Sequence, residues 1–162
     1  MRYVLLDKIT RLEPGRCLCG LKNVSISDDL VTKYAPGMSA LPSTMTLEAM
    51  AQAAGLLAVA TIEFRARPVL AKVRRFIANG QARPGDQVIV RADLAAMHEQ
   101  GCRVDATARI ADTLLAEATI YLGFVPLERG SRARPDEQLR LAAADTYPEW
   151  FAVAPDSLEA PQ

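Results

Sequence analysis

Histidine is almost missing from this chain. His98 is the only one in 162 residues, so metal chemistry built on several imidazoles within one chain is excluded. Cysteine is scarce too. Cys17, Cys19 and Cys102 make an odd count with no CxxC spacing, which argues against a disulfide frame or a zinc site. Cys17 and Cys19 flank Leu18, so on a strand they share one face and read as core or half-buried residues. Neither sign of charge is in surplus, because 19 basic residues balance 19 acidic ones. A nucleic-acid binder would carry a basic surplus or stripe, and a neutral chain is weakly drawn to a charged membrane surface. No apolar run approaches the roughly 20 residues needed to span a bilayer. The opening MRYVLLDKIT has only a short apolar patch, Tyr3 to Leu6, too short for a secretory signal. Internal repeats and low-complexity tracts are also missing. The expectation is a cytoplasmic protein without metal or cofactor, binding neither nucleic acid nor membrane.

What is present is one domain's worth of alternating and helical patterns. Tyr3 to Leu12 is strand-like, Glu13-Pro14-Gly15-Arg16 is a turn signal, and Cys17 to Ser27 reads as a second strand of a hairpin. Asp28 to Pro42 reads as a loop. Ser43 or Thr44 is placed to cap a helix running to about Ile62. That helix is rich in Ala and nearly apolar all round apart from Thr46, Glu48 and Gln52, so it should be buried. After Arg65-Ala66-Arg67-Pro68 come four strand segments: Val69 to Asn79, Gln87 to Met97, Cys102 to Ile110 and Leu114 to Val125. They are separated by turns at Arg83-Pro84-Gly85-Asp86, His98 to Gly101 and Asp112-Thr113. One long buried helix against an antiparallel sheet is an α+β solution. Residues 1–127 form that domain. Residues 128–162 read as a partly ordered C-terminal extension, with a short helix over Asp136 to Ala144 and an aromatic cluster, Tyr147-Pro148-Glu149-Trp150-Phe151. The cluster is either a surface appendage or a latch over the domain or a partner subunit.

Glu48 and Gln52 are spaced i, i+4 and share a helix face. An ionised carboxylate on an otherwise apolar helix needs partners. It is either a proton donor and acceptor or a carboxylate tied by hydrogen bonds near the helix start.

The strings LKNVSISDDL, APG, LP and LEAMAQAAG follow one another between Leu21 and Gly55. With the Ala71–Phe76 segment, ARPGDQVIVRADL and LLAEATIYLGF, they give the chain from about residue 3 to 126 a pattern that resembles the 3-hydroxyacyl-(acyl-carrier-protein) dehydratases of the hot-dog fold. The resemblance implies a long central helix wrapped by an antiparallel sheet, and two protomers that join their sheets. It implies an active site at the dimer interface, where a loop histidine of one protomer removes the substrate's α-proton. A helix carboxylate of the other protomer assists loss of the hydroxyl. Where the family loop begins His-Phe-Pro-Gly, this chain has Tyr34-Ala35-Pro36-Gly37. Where the family has Met-Pro-Gly, it has Leu41-Pro42-Ser43. The helix carboxylate corresponds to Glu48 and the following glutamine to Gln52.

On this resemblance Glu48 and Tyr34 are the catalytic candidates, and Pro36, Gly37, Ser43 and Gln52 the substrate-binding ones. Lys72, Arg74 and Arg75 are a basic patch for the carrier protein, or a solvated strand edge. An ordinary phenol titrates near pH ~10, so Tyr34 is a poor replacement base; it serves as a hydrogen-bond donor to a thioester oxygen or as packing. Ser43 offers its amide to an oxyanion, or its hydroxyl as a helix cap. The function implied is dehydratase-like handling of acyl thioesters on acyl carrier protein or CoA, in fatty acid or polyketide-type metabolism, with dehydration altered or lost. The alternatives are a hot-dog thioesterase and a non-catalytic partner of an active homologue. A homodimer is expected, with a hexamer or heteromer open.

Overall fold

The computed structural model describes residues 4–32, 39–126 and 143–151. Six strands form one antiparallel sheet: β1 (Lys8–Glu13), β2 (Cys17–Asn23), β3 (Ala66–Ala78), β4 (Gln87–His98), β5 (Gly101–Ile110) and β6 (Thr113–Pro126), in the order β1-β2-β4-β5-β6-β3. A short turn of helix, α1 (Asp29–Thr32), follows β2, and the long helix α2 (Ser43–Thr61) crosses the inner face of the sheet. A second short helix, α3 (Pro148–Phe151), closes the described chain.

Period-2 alternation decides which residues face α2. On β4, Val88, Val90 and Ala92 are buried; on β5, Val104, Ala106 and Ala108; on β6, Ala116, Ala118, Ile120 and Leu122. They meet Ala49, Met50, Ala53, Ala54, Leu57 and Ala58 of α2, which recur at helical spacing and are all buried. Alanine at so many facing positions lets helix and sheet approach closely. The β4–β5 turn is equally tight. A Cβ on Gly101 would overlap the carbonyl oxygen of Leu122 on β6, so no other residue fits there without moving backbone.

Several boundaries differ from expectation. β3 begins at Ala66 and runs through Pro68, because it is an edge strand, where a missing N–H costs no ladder bond. β1 starts only at Lys8, and β2 stops at Asn23, where Val24 turns away to pair with the loop at Gly85 and Asp86. Asp29–Thr32 is helical within the expected loop. Neither Ser43 nor Thr44 caps α2: Pro42 occupies the cap position, with φ −57° and ψ 141°, and no side chain caps the helix. Of the short helix expected over 136–144, residues 136–142 lie outside the described residues, and 143–146 are helical.

The helix is not buried all round. The sheet covers one side only. Thr44 and Glu48 are exposed, Ala51, Gln52 and Gly55 are half-buried, and a Cβ added at Gly55 would meet nothing within 4 Å. At the other end, Glu63 and Phe64 take φ of 53° and 62°. Such left-handed residues cost about 1–2 kcal/mol each when not glycine. Phe64 is buried and packs edge-on against Phe151, ring centroids 5.8 Å apart. Burying a Phe side chain is worth about 1.5–3 kcal/mol, enough to offset the strain at its own position.

The three cysteines are free. Cys17 and Cys19 lie on the sheet face opposite Leu18, the first buried and the second half-buried. Burial pushes the Cys102 thiol up to about 11. At pH 8 its thiolate is then about 100-fold rarer than in the unfolded chain. Native protein should therefore leave Cys102 unlabelled by a disulfide reagent at pH 8 and release it only in denaturant, as mass mapping of labelled peptides would show.

Candidate functional site

The site is built on the first turns of α2. Glu48 lies in the second turn, exposed in the single chain. One turn further on, the Gln52 side-chain nitrogen donates to Glu48 Oε1 at 3.1 Å. An exposed i, i+4 pair of this kind is worth only about 0.2–0.5 kcal/mol, too little to hold one rotamer against thermal motion. Gln52 is held by more than the pair: the backbone N–H of Leu5 donates to Gln52 Oε1 at 2.9 Å. The chain leading into β1 runs along α2 in the same direction, from Leu5 beside Gln52 to Gly15, whose N–H donates to Thr61 Oγ1 at 2.8 Å. A carboxylate held this way can give a proton to, or take one from, a group lying along the open face of α2.

Gln52, a substrate-binding candidate, joins Leu5 to Glu48 through its side-chain amide. The Leu5 contact comes from a main-chain group and leaves no trace in residue type. Tyr34, Pro36 and Gly37 lie outside the described residues. Ser43 is half-buried and is the first residue of α2. The first intrahelical bonds run from Met45 and Thr46 to the Pro42 carbonyl, so the Ser43 and Thr44 amides precede the ladder, where helix starts hold anions.

The basic trio does not form one cluster beside Glu48. Lys72 pairs in register with Tyr121 and Arg75 with Thr119, while Val73 and Phe76 pair with Ile120 and Ala118 of the inner face. Paired residues share a face, so Lys72 and Arg75 belong to the outer face, away from α2. Arg74 falls at the bulge between Val73 and Arg75. Arg75 is bound to Glu117 at 3.1 Å. His98 ends β4 and lines, with Ile62, Arg65, Ala66, Met97, Glu99 and Phe124, a depression of about 400 Å³ beyond the C-terminal end of α2. Ile62 and Glu48 are separated by fourteen residues of helix, about 21 Å at 1.5 Å per residue. The lone imidazole is thus out of reach of Glu48 in the same protomer.

A buried lysine steadies the segment that enters the loop. Lys22, 8% exposed, lies 3.2 Å from Asp28 and 4.0 Å from Asp7. Asp7 also accepts the Asn23 N–H. Two carboxylates and one ammonium satisfy a charge that would be costly alone, and the clamp joins the start of β1 to the residues before α1. Sequence reading missed it because Lys22 sits at an inward-facing strand position that normally takes an apolar residue.

Among the described residues no group of three His, Cys, Asp or Glu is placed to hold a metal, and no helix is long and apolar enough to cross a membrane. The family model described as a FabA-like domain matches residues 1–119. The chain belongs to the FabA-like domain family. The match takes in α2, Glu48 and Gln52 and leaves the C-terminal segment outside it. Among relatives of this FabA-like chain is the 3-hydroxyacyl-(acyl-carrier-protein) dehydratase FabZ of Symbiobacterium thermophilum, 31% identical over 133 residues, covering 82% of this chain and 94% of that one. The structure is similar to that of the dehydratase heterocomplex ApeI:P from Xenorhabdus doucetiae, with a TM-score of 0.64, 16% identity, and 86% and 89% of the two chains covered. It is also similar to a hypothetical thioesterase with coenzyme A from Streptococcus pneumoniae, with a TM-score of 0.62, 10% identity, and coverage of 76% and 90%. The fold is the hot-dog fold, α+β, a long helix wrapped by an antiparallel sheet. The protein is dehydratase-like.

Proposed function

We propose that this FabA-like chain handles 3-hydroxyacyl thioesters on acyl carrier protein, in fatty acid or polyketide-type metabolism in the cytoplasm. Glu48 is its acid/base group, and dehydration is altered or lost when the chain acts alone. The observation that carries this is a carboxylate hydrogen-bonded to Gln52 on an open helix face, with the chain's single imidazole beyond the far end of that helix. Dehydration breaks two bonds. A base takes the proton from the carbon next to the thioester carbonyl, and an acid protonates the departing hydroxyl. Water leaves and a carbon–carbon double bond forms. Glu48 suits the second task. In the sequence, Tyr34 takes the position of the family's base, and a phenol donates a hydrogen bond more readily than it takes a carbon-bound proton.

The uncovered side of α2, with Ala51 and Gly55 beside Glu48, supports a dimer in which a second protomer completes the site. A second copy of this chain has Tyr34 at the sequence position of the family's histidine. A homologue bearing histidine would bring the base, and a dehydratase heterocomplex is among the similar structures. Lys72 and Arg74 are left to meet an acidic carrier protein.

The test is to incubate the purified protein with 3-hydroxyacyl-carrier proteins of several chain lengths, alone and mixed with a histidine-bearing relative, and to follow 2-enoyl product by mass spectrometry. The expected result is little product from the chain alone and, in the mixture, more than the relative makes by itself. A rate from the chain alone equal to that of the relative would refute lost or altered dehydration. Failure to bind either a carrier protein or the relative would remove the proposal.

One observation favours thioester hydrolysis as a second reading: Glu48 is exposed on its helix, and a carboxylate can act as general base on a water that attacks a thioester carbonyl. Thiol release from acyl-CoA that disappears in Glu48→Gln would support it, and release at the background rate would dismiss it.

A further inference from the structure

The C-terminal segment lies beyond the residues that the family model matches, yet it is bound into the core. Ala143, Tyr147 and Phe151 are buried among the core residues. The Tyr147 hydroxyl donates to the Leu6 carbonyl at 2.7 Å in a buried bond, and the Trp150 indole N–H donates to the Ile9 carbonyl at 2.9 Å. Phe151 meets Phe64 just past α2. The segment is a strap along β1, an edge strand of the sheet, and along the residues that lead into it.

Those residues are the ones that hold Gln52. Leu5 donates its N–H to Gln52 Oε1, and the adjoining Leu6 gives its carbonyl to Tyr147. Leu5 and Leu6 precede the first residue of β1, and their next backbone anchor is Asp7 N–H on the Leu21 carbonyl at 2.7 Å. The Leu6 carbonyl and the Asp7 N–H belong to one peptide group, so Tyr147 and the Leu21 carbonyl together hold that group, two peptides past the Leu5 N–H. Three hydrogen bonds and the covalent Leu5–Leu6 backbone between them lead from Tyr147, through the Gln52 amide, to Glu48 Oε1. The last bond of the series, an exposed i, i+4 pair, is too weak to orient a carboxylate unaided. Leu5 is one of the contacts that hold Gln52 and through it the carboxylate.

We propose that Tyr147 is a positioning residue for Glu48: with the Leu21 carbonyl it holds the backbone that aims Gln52, and Gln52 aims the carboxylate. This rests on the reading of Glu48 as the acid/base group. The C-terminal segment is then part of the site's support.

Two variants of the full chain separate positioning from plain stability. Tyr147→Phe removes only the hydroxyl bound to Leu6 and keeps the buried ring. Trp150→Phe removes a comparable donor bound to Ile9, four residues past Gln52's anchor. Both should lower the melting temperature by similar small amounts. In Tyr147→Phe alone, the Leu5 amide should exchange with solvent about tenfold faster, and the Glu48 carboxyl carbon resonance should move. In whichever assembly turns over 3-hydroxyacyl-carrier protein, kcat should fall about fivefold to tenfold with KM unchanged. Equal exchange and equal kcat in the two variants would overturn the proposal. If no assembly turns over substrate, the catalytic reading of Glu48 fails by itself, and the Leu5 exchange and Glu48 resonance still decide whether Tyr147 controls the carboxylate.

Discussion

Glu48→Gln is expected to lower enoyl-thioester formation by at least about 100-fold, in a homodimer or in a complex with a histidine-bearing homologue, whichever is active. General acid–base groups contribute roughly 10²–10⁴ to rate, and glutamine can neither give nor take the proton at neutral pH. The fold should not notice the change. Glu48 is exposed in the protomer, and an amide oxygen at the same place still accepts the bond from Gln52 that its Oε1 now accepts at 3.1 Å. Exposed substitutions of this type stay within about 0.5 kcal/mol. The paired measurement is turnover against thermal unfolding. A large loss of rate at unchanged melting temperature is the expected outcome. An unchanged rate would remove Glu48 from the chemistry, whatever else the helix does.

The largest effect on stability is expected at the other face of the same helix. Leu57 is fully buried between α2 and the sheet. Leu57→Ala removes its branched end and leaves a hole, because the alanines around it cannot extend to fill the space. Such changes cost about 2–5 kcal/mol. For a chain of this size each kcal/mol lowers the melting temperature by about 2–4 °C, so a fall of roughly 4–20 °C is expected in a thermal melt. A fall of 1 °C or less would mean that the helix–sheet contact is looser than its burial implies. Because α2 carries Glu48 and Gln52, a reduced rate in this variant below its melting range would report helix displacement.

Much of the architecture is legible without coordinates. Val88, Val90 and Ala92 alternate, the turn residues fall between the strands, and the Ala-rich stretch after Pro42 can only be a helix against a sheet. The i, i+4 spacing puts Glu48 and Gln52 on one face whatever surrounds them. All of this is local: a period of 2 or 3.6 residues, a proline with its φ restricted, a glycine at a turn. The loop candidates Tyr34, Pro36 and Gly37 stand on the family pattern alone.

Tertiary structure decided the rest, for reasons that no window of sequence contains. The bond that aims Gln52 joins residues 47 apart, and the one from Tyr147 to Leu6 joins residues 141 apart. Both end on main-chain groups, which every residue shares. Bulges on β3 decided that Lys72 and Arg75 face away from the helix. The sheet's reach decided that α2, apolar on nearly every side, keeps one face uncovered in the protomer, and that face carries the acid. Composition set what each segment could become, through side-chain size, charge and backbone freedom. Which groups met, and which face stayed open, followed only from the closed packing of sheet and helix.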